Sequence, residues 1–208
     1  MPWDSISWIP LLLGAYIIGS FPTAYLAGRF LKKADIREMG DKNAGAANVY
    51  RNLGHNAGIS VGVIDIAKGA LVVLIARLLM DGTAPLMVAG LAGIAGHNWP
   101  FYLHFRGGRG AATAMGVLIA FVPIPAIPMS LGALVVLKFT RNAVAALGFA
   151  FIPLPLLTWF TGASLIAVSY TILLPIVVGF SHFTSVRRLP QLRETAPTSP
   201  LTHTPKRH

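Results

Sequence analysis

The 208-residue sequence contains no cysteine, which excludes disulfides, thiolate chemistry and cysteine-ligated zinc. Only 12% of its residues are charged, about half the usual share for a soluble domain, and only seven are acidic. The aspartates are scattered along the chain and form no cluster that would hold a metal ion. We therefore predict no metal site and no cofactor.

What the sequence has instead is apolar residues, which make up 54% of the chain. They occur in blocks that approach the ~20 residues that a helix needs to cross a bilayer. Five blocks follow from length alone: residues 8–30, 57–80, 85–105, 143–160 and 164–181. The pattern predicts an all-α integral membrane protein, with one membrane domain over residues 1–186 and a basic, disordered tail over residues 187–208.

The cations predict the topology of this domain. Fifteen of the 17 lysines and arginines fall in four clusters, at residues 29–51, 106–109, 138–141 and 187–207. The positive-inside rule places all four clusters in the cytoplasm. The net charge of +10 therefore reports membrane orientation, and we predict no nucleic-acid binding.

The stretch between Arg109 and Lys138 decides the number of spans. It is too long for one span and short for two, and Pro123, Pro125 and Pro128 interrupt it. Two short helices or a re-entrant hairpin would both return the chain to the cytoplasm, whereas one kinked span would not. We expect about seven transmembrane helices, an outside N-terminus and a cytoplasmic C-terminus.

The first candidate site is a loop rich in small residues and hydrogen-bond donors. Its candidate binding residues are Lys42, Asn43, Gly45, Asn48 and Arg51. If the chain is helical after Gly45, Asn48 and Arg51 share a face, and the helix start offers free N–H groups to a phosphate. The alternative is a flexible connector that touches anionic lipid headgroups.

The second candidate site is the run from Arg106 through Gly107, Gly108, Arg109 and Gly110, which opens a helix carrying Thr113. Successive N–H groups in such a loop can form an anion nest, with Arg109 as a fork-shaped partner for phosphate. The alternative is a topological turn. The spacing is not that of a P-loop, so we do not expect nucleotide hydrolysis.

Four polar residues near the apolar blocks complete the candidates. His97 stands just before Trp99-Pro100 near the membrane interface, and His182 stands at the cytoplasmic end of the last span; each is a candidate site residue or a structural group. Asp65 and Lys68 are three residues apart inside the second span and share a helix face. We predict that they form a structural ion pair, because charges inside a membrane need partners.

Taken in order, these motifs resemble those of the bacterial acyl-phosphate:glycerol-3-phosphate acyltransferases of the PlsY type. The resemblance rests on Gly19-Ser20-Phe21-Pro22, on Asn43 to Asn48 with Arg51, on Asp65 to Gly69, and on Gly96-His97 with Gly107 to Gly110. It implies a seven-helix membrane bundle that transfers a fatty acyl group from acyl phosphate to the 1-hydroxyl of glycerol 3-phosphate. The product would be lysophosphatidic acid, made for phospholipid synthesis without coenzyme A.

The resemblance also implies roles for the candidate residues. The glycine loop and the Asn43–Asn48 loop would hold the acyl phosphate, and Arg51, Arg109 and His182 would hold glycerol 3-phosphate. The site would face the cytoplasm from the inner membrane, among membrane lipids, and the enzyme that makes acyl phosphate would be a partner.

Four residues depart from the family pattern: Asp41-Lys42 stands where Ser-Gly is common, Arg109 stands where a lysine is usual, and Ser185 stands where an asparagine is usual. The segment 141–147 also lacks the serines that the family typically has there. A small membrane transporter or binding protein for phosphorylated anions is the alternative function, because it would also place basic loops among helices.

Overall fold

The computed structural model describes residues 8–194, with side chains described as far as residue 185. This part of the chain contains ten α-helices, two 3-10 turns at Ile36–Glu38 and Phe101–Leu103, and no strand. The helices are α1 (Trp8–Gly19), α2 (Thr23–Lys32), α3 (Ala46–Leu53), α4 (His55–Leu79), α5 (Thr83–Asn98), α6 (Ala111–Phe121), α7 (Pro123–Thr140), α8 (Ala143–Phe151), α9 (Leu154–Phe160) and α10 (Leu165–Glu194). The all-helical fold class is confirmed for the described residues.

Five helical segments are long and apolar enough to cross a membrane. They are Trp8–Lys32, His55–Leu79, Pro123–Thr140, Ala143–Phe160 and Leu165–Ser185. Four of them coincide with apolar blocks of the sequence. The block at 85–105 corresponds to helix α5 (Thr83–Asn98), whose 16 residues fall short of a candidate span. The helix ends there because the chain turns at Trp99-Pro100, and proline has no N–H to continue a helix. Seven crossings and the orientation of the termini remain predictions.

The stretch between Arg109 and Lys138 contains two helices rather than one kinked span. Helix α6 ends at Phe121 and α7 begins at Pro123, where proline fits a first helical position. Helix α6 packs mainly on α4, whereas α7 packs mainly on α8. The two helices therefore pack on different partners in the bundle, and the return of the chain to the cytoplasm stays a prediction.

The first span is interrupted at Pro22, between α1 and α2. The break exposes the carbonyl of Phe21, which accepts a hydrogen bond from Lys68 Nζ at 3.0 Å. A continuous helix would use this carbonyl four residues further along its own backbone. The Phe21 carbonyl also accepts from the N–H of Thr23 at 3.0 Å, so the interruption brings a backbone acceptor shared by Thr23 and Lys68 to a charged residue inside the bundle.

Small residues let the central helices approach closely. A Cβ added at Gly116 of α6 would overlap the carbonyl oxygen of Ile66 in α4, and one at Gly69 would overlap that of Thr113. Small residues at such crossings are the usual basis of helix packing in membranes, where lipid is as apolar as the side chains. The α4–α6 contact fixes where α6 begins, and with it the glycine loop.

The surface of the helices is apolar around the bundle. Large side chains such as Phe30, Leu78 and Ile152 are each more than 80% exposed. Water-soluble monomers rarely expose large apolar patches, whereas a membrane-spanning bundle presents them to lipid. The core between the helices holds residues such as Leu118 and Tyr170, whose hydroxyl donates to the carbonyl of Met87 at 2.8 Å.

The last helix extends further than the sequence predicted. Helix α10 continues to Glu194, so the helix includes the first eight residues of the segment 187–208 that we expected to be a disordered tail. The boundary of the tail is corrected accordingly, because the helical pattern does not stop where the apolar residues stop. The rest of the predicted tail lies outside the described residues.

Candidate active site

Asn48 organises the first candidate loop from inside. Its side chain is fully buried, and Nδ2 lies within hydrogen-bond distance of the carbonyls of Ile36, Met39 and Asn43, at 3.0, 2.9 and 2.9 Å. Its Oδ1 accepts from Asn52 Nδ2 at 2.8 Å. The polar atoms of Asn48 are thus committed to the loop, which favours a positioning role over direct contact with a substrate.

Helix α3 starts immediately after this network. Gly45 is its N-cap, and Lys42 has a left-handed φ of 55° where the loop turns toward it. The predicted helix after Gly45 is therefore present. It places Arg51 one turn beyond Asn48, so the arginine projects from an element whose start is fixed by the buried amide.

Asp41 brings the two predicted catalytic arginines together. Its Oδ2 accepts from Arg51 Nη2 at 2.9 Å and from Arg109 Nη1 at 3.4 Å. Arg51 is half exposed, whereas only 14% of the Arg109 side chain is exposed. Burial lowers the pKa of Arg109 and the Asp41 carboxylate raises it, and arginine remains charged in either environment.

His182 in α10 lies within electrostatic range of Arg109 and Asp41. Of the three residues predicted to be catalytic, Arg51 and Arg109 come from distant segments and meet at Asp41, whereas the part of His182 in the site stays a prediction. Sequence reasoning treated Asp41 only as a departure from the family pattern, and its separation of 68 residues from Arg109 gave no local signal of this bridge.

The glycine loop differs from the predicted nest in one respect. The N–H groups of Gly107 and Gly108 donate to the carbonyls of Asn98 and His97, each at 3.1 Å. They satisfy carbonyls at the C-terminal end of α5, which otherwise lack partners in a helix. These two N–H groups are consequently engaged within the protein, and the start of α6 after Gly110 is the part of the loop that can receive an anion.

The glycines also allow the two loops to touch. A Cβ added at Gly108 would overlap His97 Nε2 and would lie 2.9 Å from the carbonyl oxygen of Ala44. Gly110 has a φ of 81°, a conformation that glycine adopts without strain, and it is the N-cap of α6. The geometry of the loop therefore requires glycine at both 108 and 110.

Six buried side-chain atoms have no hydrogen-bond partner in the described part of the chain, and all six belong to this region. They are Asp41 Oδ1, Asn43 Oδ1, Arg109 Nε, Thr113 Oγ1 and both polar atoms of the Asn98 amide. Buried polar atoms in proteins are normally hydrogen-bonded. Their concentration around the two loops provides donors and acceptors for a polar ligand, and Asn98 was not among the predicted residues.

A buried charged cluster supports the glycine loop. Lys68 Nζ lies 2.8 Å from Asp65 Oδ1, so the predicted ion pair is present, and Thr23 Oγ1 donates to the same oxygen at 3.1 Å. His97 Nδ1 is 3.7 Å from that oxygen, beyond hydrogen-bond distance. His97 therefore lies between this cluster and Gly108, and its role in substrate binding remains a prediction.

Arg37 joins the segment between α2 and α3 to the 3-10 turn that precedes the glycine loop. Arg37 Nη2 lies 2.7 Å from Asp35 Oδ2, and Arg37 Nη1 donates to the carbonyl of Leu103 at 2.9 Å. Burial raises the pKa of Asp35, but the hydrogen bonds and charge of Arg37 outweigh it and hold that pKa below its usual value. This contact was not predicted from the sequence, although an acidic and a basic residue two positions apart indicate a candidate pair.

The fold and the site together define a multi-pass α-helical membrane protein in which two arginines from different polar loops meet at one aspartate. The sequence matches the family described as glycerol-3-phosphate acyltransferase over residues 9–191, and the chain belongs to this family.

Relatives and solved structures agree with this assignment. Glycerol-3-phosphate acyltransferase 4 of Dehalococcoides mccartyi is 46% identical over 86% of this chain and 98% of its own length. Glycerol-3-phosphate acyltransferase of Thermoanaerobacter pseudethanolicus is 35% identical over 84% of this chain and 88% of its own. The glycerol 3-phosphate form of PlsY (YgiH), an integral membrane glycerol 3-phosphate acyltransferase, is 30% identical and covers 90% of this chain and 94% of its own, with a TM-score of 0.74. A lysophosphatidic acid form of PlsY has the same TM-score and identity.

Proposed function

We propose that the chain transfers a fatty acyl group from acyl phosphate to the 1-hydroxyl of glycerol 3-phosphate, releasing lysophosphatidic acid and phosphate. The observation that carries this proposal is the meeting of Arg51 and Arg109 at one carboxylate oxygen. Guanidinium groups bind carboxylate and phosphate oxygens with the same fork-shaped geometry. Two of them, with His182 close by, form a receptor for the phosphate of the acceptor.

The donor is assigned to the unpaired polar atoms beside the glycine loop. Asn43 Oδ1, the Asn98 amide, Thr113 Oγ1 and Arg109 Nε are buried without a partner in the described part of the chain, and the Asn98 amide lies against Gly110, the N-cap of α6. The free N–H groups at a helix start attract phosphate oxygens, and the polar side chains add specific partners. The acyl chain would extend from this position onto the apolar, lipid-facing surface of the helices.

The reaction needs positioning more than a strong nucleophile on the protein. The 1-hydroxyl oxygen of the acceptor attacks the acyl carbon, a carbon–oxygen ester bond forms, and the carbon–oxygen bond to phosphate breaks. The hydroxyl proton passes to the departing phosphate, so atoms and charge balance without a covalent enzyme intermediate. Arg51 and Arg109 hold the phosphate of the acceptor, and the polar groups beside the glycine loop hold the donor and stabilise the negative charge of the departing phosphate.

The site is proposed to face the cytoplasm of a bacterial inner membrane. Its loops carry Arg37, Lys42, Arg51 and Arg106, and short loops rich in such cations remain on the cytoplasmic side. The soluble acceptor would then arrive from the cytoplasm, and the apolar donor would arrive through the membrane. An enzyme that makes acyl phosphate is the expected partner, since the donor must be produced close to where it is used.

The proposal is tested with the purified protein in lipid nanodiscs. Phosphate release from palmitoyl phosphate is measured with and without glycerol 3-phosphate, and lipid products are separated by chromatography. We expect lysophosphatidic acid and phosphate in equal amounts, and no product when palmitoyl coenzyme A replaces the donor. Release that is indifferent to the acceptor, or equal use of the coenzyme A ester, would refute the proposal.

A further inference from the structure

Asp41 occupies the position where the acceptor phosphate is expected to bind. One of its oxygens contacts Arg51 Nη2 at 2.9 Å and Arg109 Nη1 at 3.4 Å. Its other oxygen is buried and has no partner in the described part of the chain. The two arginines therefore share one oxygen of the carboxylate, as they could share an oxygen of a phosphate group.

The consequence for an incoming anion is electrostatic. Two guanidinium groups without a carboxylate between them would present a charge of about +2, whereas the cluster with Asp41 presents about +1. A phosphate that binds both arginines must take over the hydrogen bonds that Asp41 now accepts. It must also lie beside a negative carboxylate, and like charges at short distance oppose binding.

We propose that Asp41 is an internal competitor for the phosphate-binding arginines, which weakens binding of the acceptor and of released phosphate. The inference rests on the proposed function, since it names what limits binding at that same site. A carboxylate that competes keeps the site from being saturated by inorganic phosphate, the second product. Asp41 is thereby a residue that determines affinity and specificity at the acceptor site.

The competing explanation is that Asp41 only holds the arginines in place. The two explanations differ in the sign of the effect when the charge is removed. A competitor that loses its charge releases both guanidinium groups, so phosphate binds more tightly. A support that loses its charge lets the arginines move, so phosphate binds more weakly.

The test compares Asp41→Asn with Glu38→Gln in nanodiscs. Glu38 is a matched control because it also removes one negative charge from these loops, but its partner is Arg106, at 3.2 Å, and not the arginines of the site. Dissociation constants for inorganic phosphate and for glycerol 3-phosphate are measured by titration calorimetry, together with KM for the acceptor.

We expect Asp41→Asn to lower both dissociation constants and KM about fivefold, the upper range for one partly exposed ion pair. Glu38→Gln should leave all three values unchanged. Unchanged or higher constants in Asp41→Asn would overturn the proposal, and so would an equal decrease in Glu38→Gln. If Asp41→Asn does not fold, the same comparison is made with Asp41→Ser.

The result is separable from failure of the proposed function. The calorimetric constants for inorganic phosphate are obtained without turnover, and they report competition at the arginines even if acyl transfer is absent. Absence of acceptor-dependent turnover in the unaltered protein would reject the proposed function. The change of phosphate affinity in Asp41→Asn decides the inference on Asp41.

Discussion

Replacing Asn48 with alanine should disorder the first loop and abolish most activity while the membrane helices remain folded. The Asn48 Nδ2 group has two protons shared among three carbonyls, and Oδ1 accepts from Asn52 Nδ2 and, at 3.4 Å, from the N–H of Asp41. About three to four hydrogen bonds are therefore lost. At about 1 kcal/mol each, the loop loses about 3–4 kcal/mol of stabilisation.

This loss should be local, because Ile36, Ala44 and Val49 of this region belong to a small apolar cluster that is separate from the main core between the spans. Arg51 and Asp41 both depend on the loop for their positions, and a displacement of about 1 Å in a positioning group can reduce turnover about 100-fold. We expect kcat/KM to fall by at least that factor in Asn48→Ala. Hydrogen exchange by mass spectrometry should show faster exchange over residues 36–53 and unchanged protection in α4 and α6.

The matched control is Asn52→Ala, which removes only the side chain that donates to Asn48 O at 2.9 Å and Oδ1 at 2.8 Å. Its effect on exchange and on kcat/KM should be several-fold smaller. Full activity of Asn48→Ala, or equal effects of the two substitutions, would show that the amide does not organise the site.

Three further substitutions test other parts of the structure. Lys68→Met or Asp65→Asn alone leaves one buried charge uncompensated and should destabilise the protein by about 3–5 kcal/mol. The double variant should regain much of the thermal stability, and equal melting temperatures of the single variants and the unaltered protein would contradict a buried pair. Gly116→Val should lower the melting temperature and the activity together, because its side chain would overlap the Ile66 carbonyl of α4, and an unchanged melting temperature would argue against the close contact. Arg37→Ala should raise KM for the acceptor and leave the melting temperature nearly unchanged, because it removes the hydrogen bond to the Leu103 carbonyl that joins the two loop segments. An unaltered KM would contradict this role of Arg37.

The spans were predictable from the sequence because hydrophobic length alone decides whether a helix can cross a bilayer. The same criterion failed at residues 85–105, where the apolar run continues past Trp99-Pro100 although helix α5 stops at Asn98. The hydropathy of a segment does not show that a proline turns the backbone within it. The count of seven crossings depends on α5 and α6, and it stays a prediction for that reason.

The site was predictable where its partners are close in sequence. Asp65 and Lys68 share a helix face at a spacing of three residues, so their pairing followed from helix geometry. The partner Thr23 is 42 residues from Asp65, and no local pattern connects them. The bridge from Asp41 to Arg109 was hidden for the same reason.

The glycine loop shows a different limit. Its glycines correctly marked a tight backbone, but the pattern does not reveal which N–H groups remain free. The carbonyls at the end of α5 take the N–H groups of Gly107 and Gly108, because helix ends need partners. The glycine pattern predicts the backbone conformation of the loop, whereas the partners of its N–H groups depend on how the loop packs in the fold.

The central claim is that Arg51 and Arg109 hold the phosphate of glycerol 3-phosphate during acyl transfer. The most direct measurement is the rate of lysophosphatidic acid formation from palmitoyl phosphate in nanodiscs by Arg109→Gln, with Arg106→Gln as the control. Arg106 is a cation of the same loop, but its carboxylate partner is Glu38, at 3.2 Å, and it takes no part in the contact of Arg51 and Arg109 with Asp41. We predict that Arg109→Gln loses at least 100-fold in kcat/KM for the acceptor and that Arg106→Gln stays within about threefold of the unaltered protein. Equal activity of the two variants would contradict the account.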